Sequence, residues 1–125
     1  MESDHSMENS LLYEVASETG LLVYSYDALT GQLFWSGATE KVTGYSLSEL
    51  SQFDIKMWIA NIHPDDVSAI VNQQKIILNN KREFVLNYRF KNKNGNYVML
   101  QDKGIAFLND EGVDLREIGR IEVLV

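Results

Sequence analysis

The side chains in this sequence that could do chemistry are two histidines, one aspartate pair, one amide on an apolar stripe and a set of aromatics. His63-Pro64-Asp65-Asp66 sets an imidazole beside two carboxylates, residue types that serve as general acid and base or as metal ligands. The same run reads as the opening of a helix. Proline suits the first helical position, and two aspartates meet the positive end of the helix dipole. On that reading His63 anchors the helix start and Asp65 and Asp66 stabilise it, without chemistry. His5, the other histidine, lies in the polar start of the chain. Gln74 falls seven residues after Val67, on a stripe that also holds Ile70, Val71, Ile77 and Leu78. A buried amide must find hydrogen-bond partners, which a ligand could supply; alternatively Gln74 sits at the stripe edge and reaches solvent. Tyr24, Tyr26, Phe34, Trp58, Tyr88 and Phe90 either wall an aromatic pocket or form plain core. Asp102 is the only acidic residue inside an expected strand that could act as a buried acid, and its neighbours offer no histidine. No Ser-His-Asp arrangement or nucleophile elbow is present, so an enzyme is not the expectation.

The totals narrow the classes further. The chain has 125 residues, enough for one domain with one hydrophobic core, and is 45% apolar and 23% charged. Eighteen acidic against eleven basic residues leave a net charge of −7, which argues against nucleic acid or an anionic membrane as partner. The chain has no cysteine, which removes disulfides, zinc–thiolate sites, thiol catalysis and any chromophore attached through sulfur. That fits a reducing compartment, and a cytoplasmic location is expected for this stretch, whether or not its parent protein is membrane-anchored. No apolar run approaches the roughly 20 residues of a membrane helix, and no signal peptide opens the chain.

The elements that must position these residues follow from periodicity. Met7, Leu11, Leu12, Val15 and Ala16 recur at helical spacing and Gly20 closes that helix. The stripe is too short to stand alone and needs a surface to lie on: the rest of the domain or a second copy. Leu21 to Asp27 and Gln32 to Ser36 read as paired strands around a turn in which Asp27 accepts turn amides and Gly31 supplies a positive φ. Short helices follow, broken at Gly44, with Ser46 as a cap and Glu49 three residues on, and Asp54 precedes Ile55, Trp58, Ile59 and Ile62 on one helical face. Pro64 opens the longest helix, to about Leu78. Phe84, Leu86, Tyr88 and Phe90 alternate with polar neighbours as a strand. Asn94-Gly95 signals a hairpin into a long strand, Tyr97 to Leu108, and after Asp110-Glu-Gly112 a third strand is expected over Ile118 to Val125. Strands on both sides of a helical block predict an α+β fold: an antiparallel five-stranded sheet with helices on one face.

Several strings, in this order, resemble the PAS family over roughly Leu21 to Val125. They are Tyr24-Ser-Tyr26-Asp27, Gly31-Gln-Leu-Phe-Trp35-Ser36, Gly44-Tyr45-Ser46 with Glu49-Leu50, and Trp58 with Ile62-His63-Pro64-Asp65-Asp66. Tyr88-Arg89-Phe90, Asn94-Gly95, Asp110-Glu-Gly112 and Gly119 complete the match. The resemblance implies a flanking helix over 1–20 and a sensory domain over 21–125. It implies a domain that binds a small molecule or dimerises to control an output domain, as in bacterial histidine kinases and cyclic-dinucleotide enzymes such as diguanylate cyclases. The ligand set it suggests is Tyr24, Tyr26, Phe34, Trp58, Gln74, Tyr88 and Phe90. The dimer surface it suggests is Leu11, Leu12 and Val15, in a homodimer. A dimerisation module without ligand is the alternative, and a small α+β-cone enzyme comes third. Haem-binding members carry their ligand further along the long helix, where this chain has Gln and Asn, so haem is not expected; neither is covalent flavin. The cofactor is otherwise open. Met99 stands where many members have Trp, and Val123-Leu124-Val125 where many have an Asp-Ile-Thr-like step.

Overall fold

Alternation of apolar and polar side chains builds the frame. The computed structural model describes residues 14–70, 72 and 83–124. Leu11, Leu12 and Gln74 therefore lie outside the described residues. Strands β1 (Leu22–Asp27), β2 (Leu33–Gly37), β3 (Glu83–Lys91), β4 (Tyr97–Leu108) and β5 (Asp114–Val123) form one sheet in the order β2-β1-β5-β4-β3. Every pairing is antiparallel. Helical residues 14–18 (α1) precede β1. Helices α2 (Thr39–Thr43), α3 (Leu47–Leu50) and α4 (Ile55–Ala60), then helical residues 64–70 (α5), follow β2. The expected α+β architecture is thus the observed one.

In β3 the burial alternates strictly, with Phe84, Leu86, Tyr88 and Phe90 inside. The register carries that face across the sheet: Leu86 pairs with Asp102, Asp102 with Ile121, and Ile121 with Leu22. Val42, Leu50, Trp58, Ile62 and Ile70 from the helical block close over this face and join it in one core. Trp58 stacks on Phe90 with ring centroids 4.1 Å apart, a geometry that adds about 0.5–1.5 kcal/mol beyond area burial.

The turn chemistry is local. Asp27 Oδ1 accepts from Leu29 N at 2.9 Å and Thr30 N at 3.3 Å, and Gly31 adopts φ 77°, closing β1 onto β2. Ser46 and Glu49 form a reciprocal capping box, and Asp54 caps α4 by accepting from Met57 N. Residues 61–63 bond to the outer edge of β3: His63 N donates to Arg89 O and Lys91 N to Asn61 O, both at 2.8 Å. That covers part of an edge strand's unpaired backbone.

One expectation needs correction. The last strand begins at Asp114, not Ile118, so Glu117 belongs to the sheet and faces inward, 9% exposed. Asp102 is therefore not the only strand acid with a buried position. In α1, Ala16 is buried while Val15 is 57% exposed, so the domain body does not cover Val15.

Candidate functional site

A cavity lies between the inner face of the sheet and the helices. Its floor is Tyr24 and Tyr26 from β1, Leu33 and Trp35 from β2, Leu86 and Tyr88 from β3, Asp102 from β4, and Glu117 and Ile121 from β5. Ile55, Trp58 and Ile59 of α4, with Ile62, Val67 and Ile70, make the roof. The space open to the centre of a water molecule is about 40 Å³, against roughly 10–15 Å³ needed for one water. That is room for a few waters.

Two glycines shape the floor. Gly119 sits between Tyr24 and Gly104 in the register. A Cβ at Gly119 would fall 2.6 Å from the Tyr24 hydroxyl and 2.7 Å from its ring, so only glycine lets Tyr24 lie across β5. At Gly104 a Cβ would fall 2.8 Å from the ring of Phe84. Tyr24 thereby reaches from β1 to β4 and donates to Asp102 Oδ1 at 2.7 Å. Tyr88 donates to Asp102 Oδ2 at 3.1 Å, and Trp58 Nε1 donates to the Tyr88 oxygen at 3.0 Å. Each oxygen of a buried carboxylate thus has a donor, as burial of a charge requires.

Electrostatics follow from this packing. Burial raises the Asp102 pKa to about 6, against the opposing hydrogen bonds from Tyr24 and Tyr88 and the charge of Arg120. Burial, then the Asp102 charge, holds both tyrosine hydroxyls well above their ordinary value, so they stay donors. Burial and the adjacent acids Asp114 and Asp102 push Glu117 up to about 8. At neutral pH Glu117 keeps its proton, which the neighbouring Asp114 carboxyl favours. Among the described residues two buried side-chain polar atoms have no hydrogen-bond partner: Trp35 Nε1 and Asp114 Oδ1.

The sequence-derived candidates divide accordingly. Tyr24, Tyr26, Trp58 and Tyr88 come together at the cavity. Phe90 backs Trp58 without lining it. Phe34 is a correction: it is 60% exposed and points from the opposite face, because β2 turns Leu33 and Trp35 inward and the intervening residue outward. Trp35, Asp102 and Glu117 are the polar lining residues that the candidate set lacked. The parity of β2 was readable, since pairing Tyr24 with Trp35 places Ser25 opposite Phe34.

The His63 segment is structural in this arrangement. His63 Nδ1 accepts from Asp65 N at 3.1 Å, and its ring lies 4.7 Å from that of Tyr97. Asp66 binds Arg89 through both guanidinium contacts, 3.0 and 2.8 Å, and accepts from Arg89 N at 2.9 Å. Those contacts lower the Asp66 pKa to about 2. They tie the start of α5 to β3, a stronger constraint than the helix dipole alone. Among the described residues no group of three His, Cys, Asp or Glu could hold a metal ion, and no helix is long and apolar enough to cross a membrane.

Comparison with known proteins agrees with this architecture. The crystal structure of a sensory box histidine kinase/response regulator from Burkholderia thailandensis superposes with a TM-score of 0.73. It is 25% identical, over 88% of this chain and 82% of that one. The N-terminal domain of a diguanylate cyclase with PAS/PAC sensor from Marinobacter aquaeolei gives 0.69 at 19% identity, covering 82% and 94%. Drosophila melanogaster Cycle PAS-B with bound ethylene glycol gives 0.64 at 20% identity, covering 82% and 99%. No curated protein matches the chain. The family described as the PAS fold matches residues 32–121, a span that runs from β2 through the helical block to Ile121 on the cavity floor, and the chain belongs to that family.

Proposed function

We propose that this domain is a sensor whose cavity binds a small molecule and whose occupancy regulates an output domain of the histidine kinase or diguanylate cyclase type. The observation that supports it is the polar floor of the cavity. A filled structural core has no use for a buried carboxyl pair and an unpartnered indole N–H, each of which costs stability. Binding shifts the output only as far as the ligand prefers one conformation over another. On this reading the domain itself does no chemistry: Asp102 is engaged by two tyrosines, and among the described residues no nucleophile–base pair lines the cavity. Native mass spectrometry of the protein as purified tests the reading. A stoichiometric small molecule supports it, and a clean apo mass that no extract of the host shifts refutes it.

We also propose a homodimer, with residues 1–20 as a flanking helix on a domain spanning 21–125. Leu11, Leu12 and Val15 would meet a second copy. The exposure of Val15 supports this, as does the apolar outer face of the sheet, where exposed Ile105, Ile118 and Phe34 follow one another across the register around Ser25. Light scattering on Leu12→Asp tests it: a monomer is expected, and an unchanged mass sinks the interface.

A further inference from the structure

We infer that the cavity takes a small organic cation: an ammonium group matched by Glu117 and Asp102, on an apolar body that lies against the aromatic wall. The inference rests on the ligand-binding reading above and adds the ligand's chemical class.

Charge comes first. Among the described residues Asp102 and Glu117 line the cavity, and no Lys, Arg or His does. The nearest base, Arg120, is engaged elsewhere, with Glu122 at 3.1 Å and Gln101 at 2.9 Å. An anion would enter a site of its own sign with no cation to meet it, at a cost that low polarity magnifies. A purely apolar ligand would leave the existing polar atoms unserved.

The wall comes second. Tyr24, Tyr26, Trp35, Trp58 and Tyr88 all line the space, and Trp35 and Trp58 lie with ring centroids 4.7 Å apart. Aromatic faces attract ammonium groups, most strongly when water is excluded. Carboxyls combined with such a wall distinguish a cation from a neutral molecule of equal size.

The unserved atoms come third. Asp102 already has a donor on each oxygen, whereas Asp114 Oδ1 has none. Donors are therefore wanted at the Glu117–Asp114 pair, and an ammonium brings three of them. Trp35 is 8% exposed and its Nε1 is buried without an acceptor. A hydroxyl or carbonyl oxygen on the same ligand would satisfy it. Ethanolamine-like or longer amino alcohols have both features.

Binding carries a proton balance. Glu117 keeps its proton without ligand; an arriving ammonium ion pairs with the carboxylate, and the carboxyl proton leaves to solvent. The titratable groups facing Glu117 are Asp114 on its own strand, Tyr24 and Tyr26 on β1, and Asp102 on β4. Among the described residues the helical roof contributes none to the lining.

Titration calorimetry with three probes of equal length, n-butylammonium, n-butanol and n-butyrate, tests the inference on the whole chain at neutral pH. The ammonium is expected to bind roughly tenfold or more tightly than the alcohol, with butyrate giving no heat. Its enthalpy should change with the ionisation enthalpy of the buffer, reporting proton release. Glu117→Gln should bring the ammonium down to the alcohol while leaving the alcohol unchanged. If butanol binds as well as butylammonium, or the variant keeps the preference, the cation inference fails and ligand sensing stands. If none of the three binds at millimolar concentration, both fall.

Discussion

Replacing Glu117 with Gln should make the domain more stable at neutral and mildly alkaline pH, although it removes a strand residue of the core. The folded protein holds the Glu117 proton up to about pH 8, against 4.5 for the free side chain. Between those values the unfolded chain is ionised and the folded one is not, so unfolding releases a proton. Stability therefore falls as pH rises through that window, by about 1.4 kcal/mol per pH unit. The residue is 9% exposed, so solvent screening removes little of this, and coupling to Asp114 spreads it. The whole effect is about 3 kcal/mol from pH 5 to pH 8, a large part of the roughly 5–15 kcal/mol that holds such a domain together. Gln keeps the shape and can donate to Asp114 without titrating. Urea unfolding at a series of pH values measures the difference. Wild type should lose stability steadily over the window, and the variant should lose much less, with the two converging near pH 4. Parallel curves would mean that Glu117 is ionised in the folded protein and that the description of the acid pair is wrong.

Gly119→Ala should cost about 1–3 kcal/mol, because the new Cβ meets the Tyr24 ring at 2.7 Å; in a Tyr24→Ala background the cost should nearly vanish in a double-mutant cycle by denaturation. Trp58→Phe removes the indole donor to Tyr88 and should cost about 1–2 kcal/mol, measured by urea unfolding with Trp35, the remaining tryptophan, as reporter. Asp66→Asn should weaken the domain at neutral pH. Its folded pKa of about 2 lies below the free value of 3.8, so the wild-type advantage is complete above 3.8 and lost as pH falls toward 2. Acid titration of both proteins should show the two curves closing over that window; a constant gap would assign the effect to packing instead of the Arg89 pair.

The frame was readable where period and burial agree. Phe84, Leu86, Tyr88 and Phe90 announced β3 because each second side chain had to be covered. The Asp27 turn and the Ser46 capping box were readable because each is a short-range hydrogen bond between fixed offsets. The cavity floor was less readable. Asp114-Leu115-Arg116-Glu117 places acids on the inward face, so no apolar alternation marks the start of β5, and Glu117 stayed hidden. Phe34 looked like a lining residue by type, but side-chain parity along a five-residue strand assigns the inside to Leu33 and Trp35. Tyr24 and Asp102 are 78 positions apart, and only the glycine notch at Gly119, a packing feature, brings them into contact.

The claim that this cavity receives a ligand is tested most directly by a high-resolution crystal structure of the protein as purified, read for density inside the cavity. The account predicts an ordered molecule larger than water, within hydrogen-bond distance of the Glu117–Asp114 pair and of Trp35 Nε1. A cavity closed by side-chain movement, with those atoms satisfied by the protein itself, would contradict it.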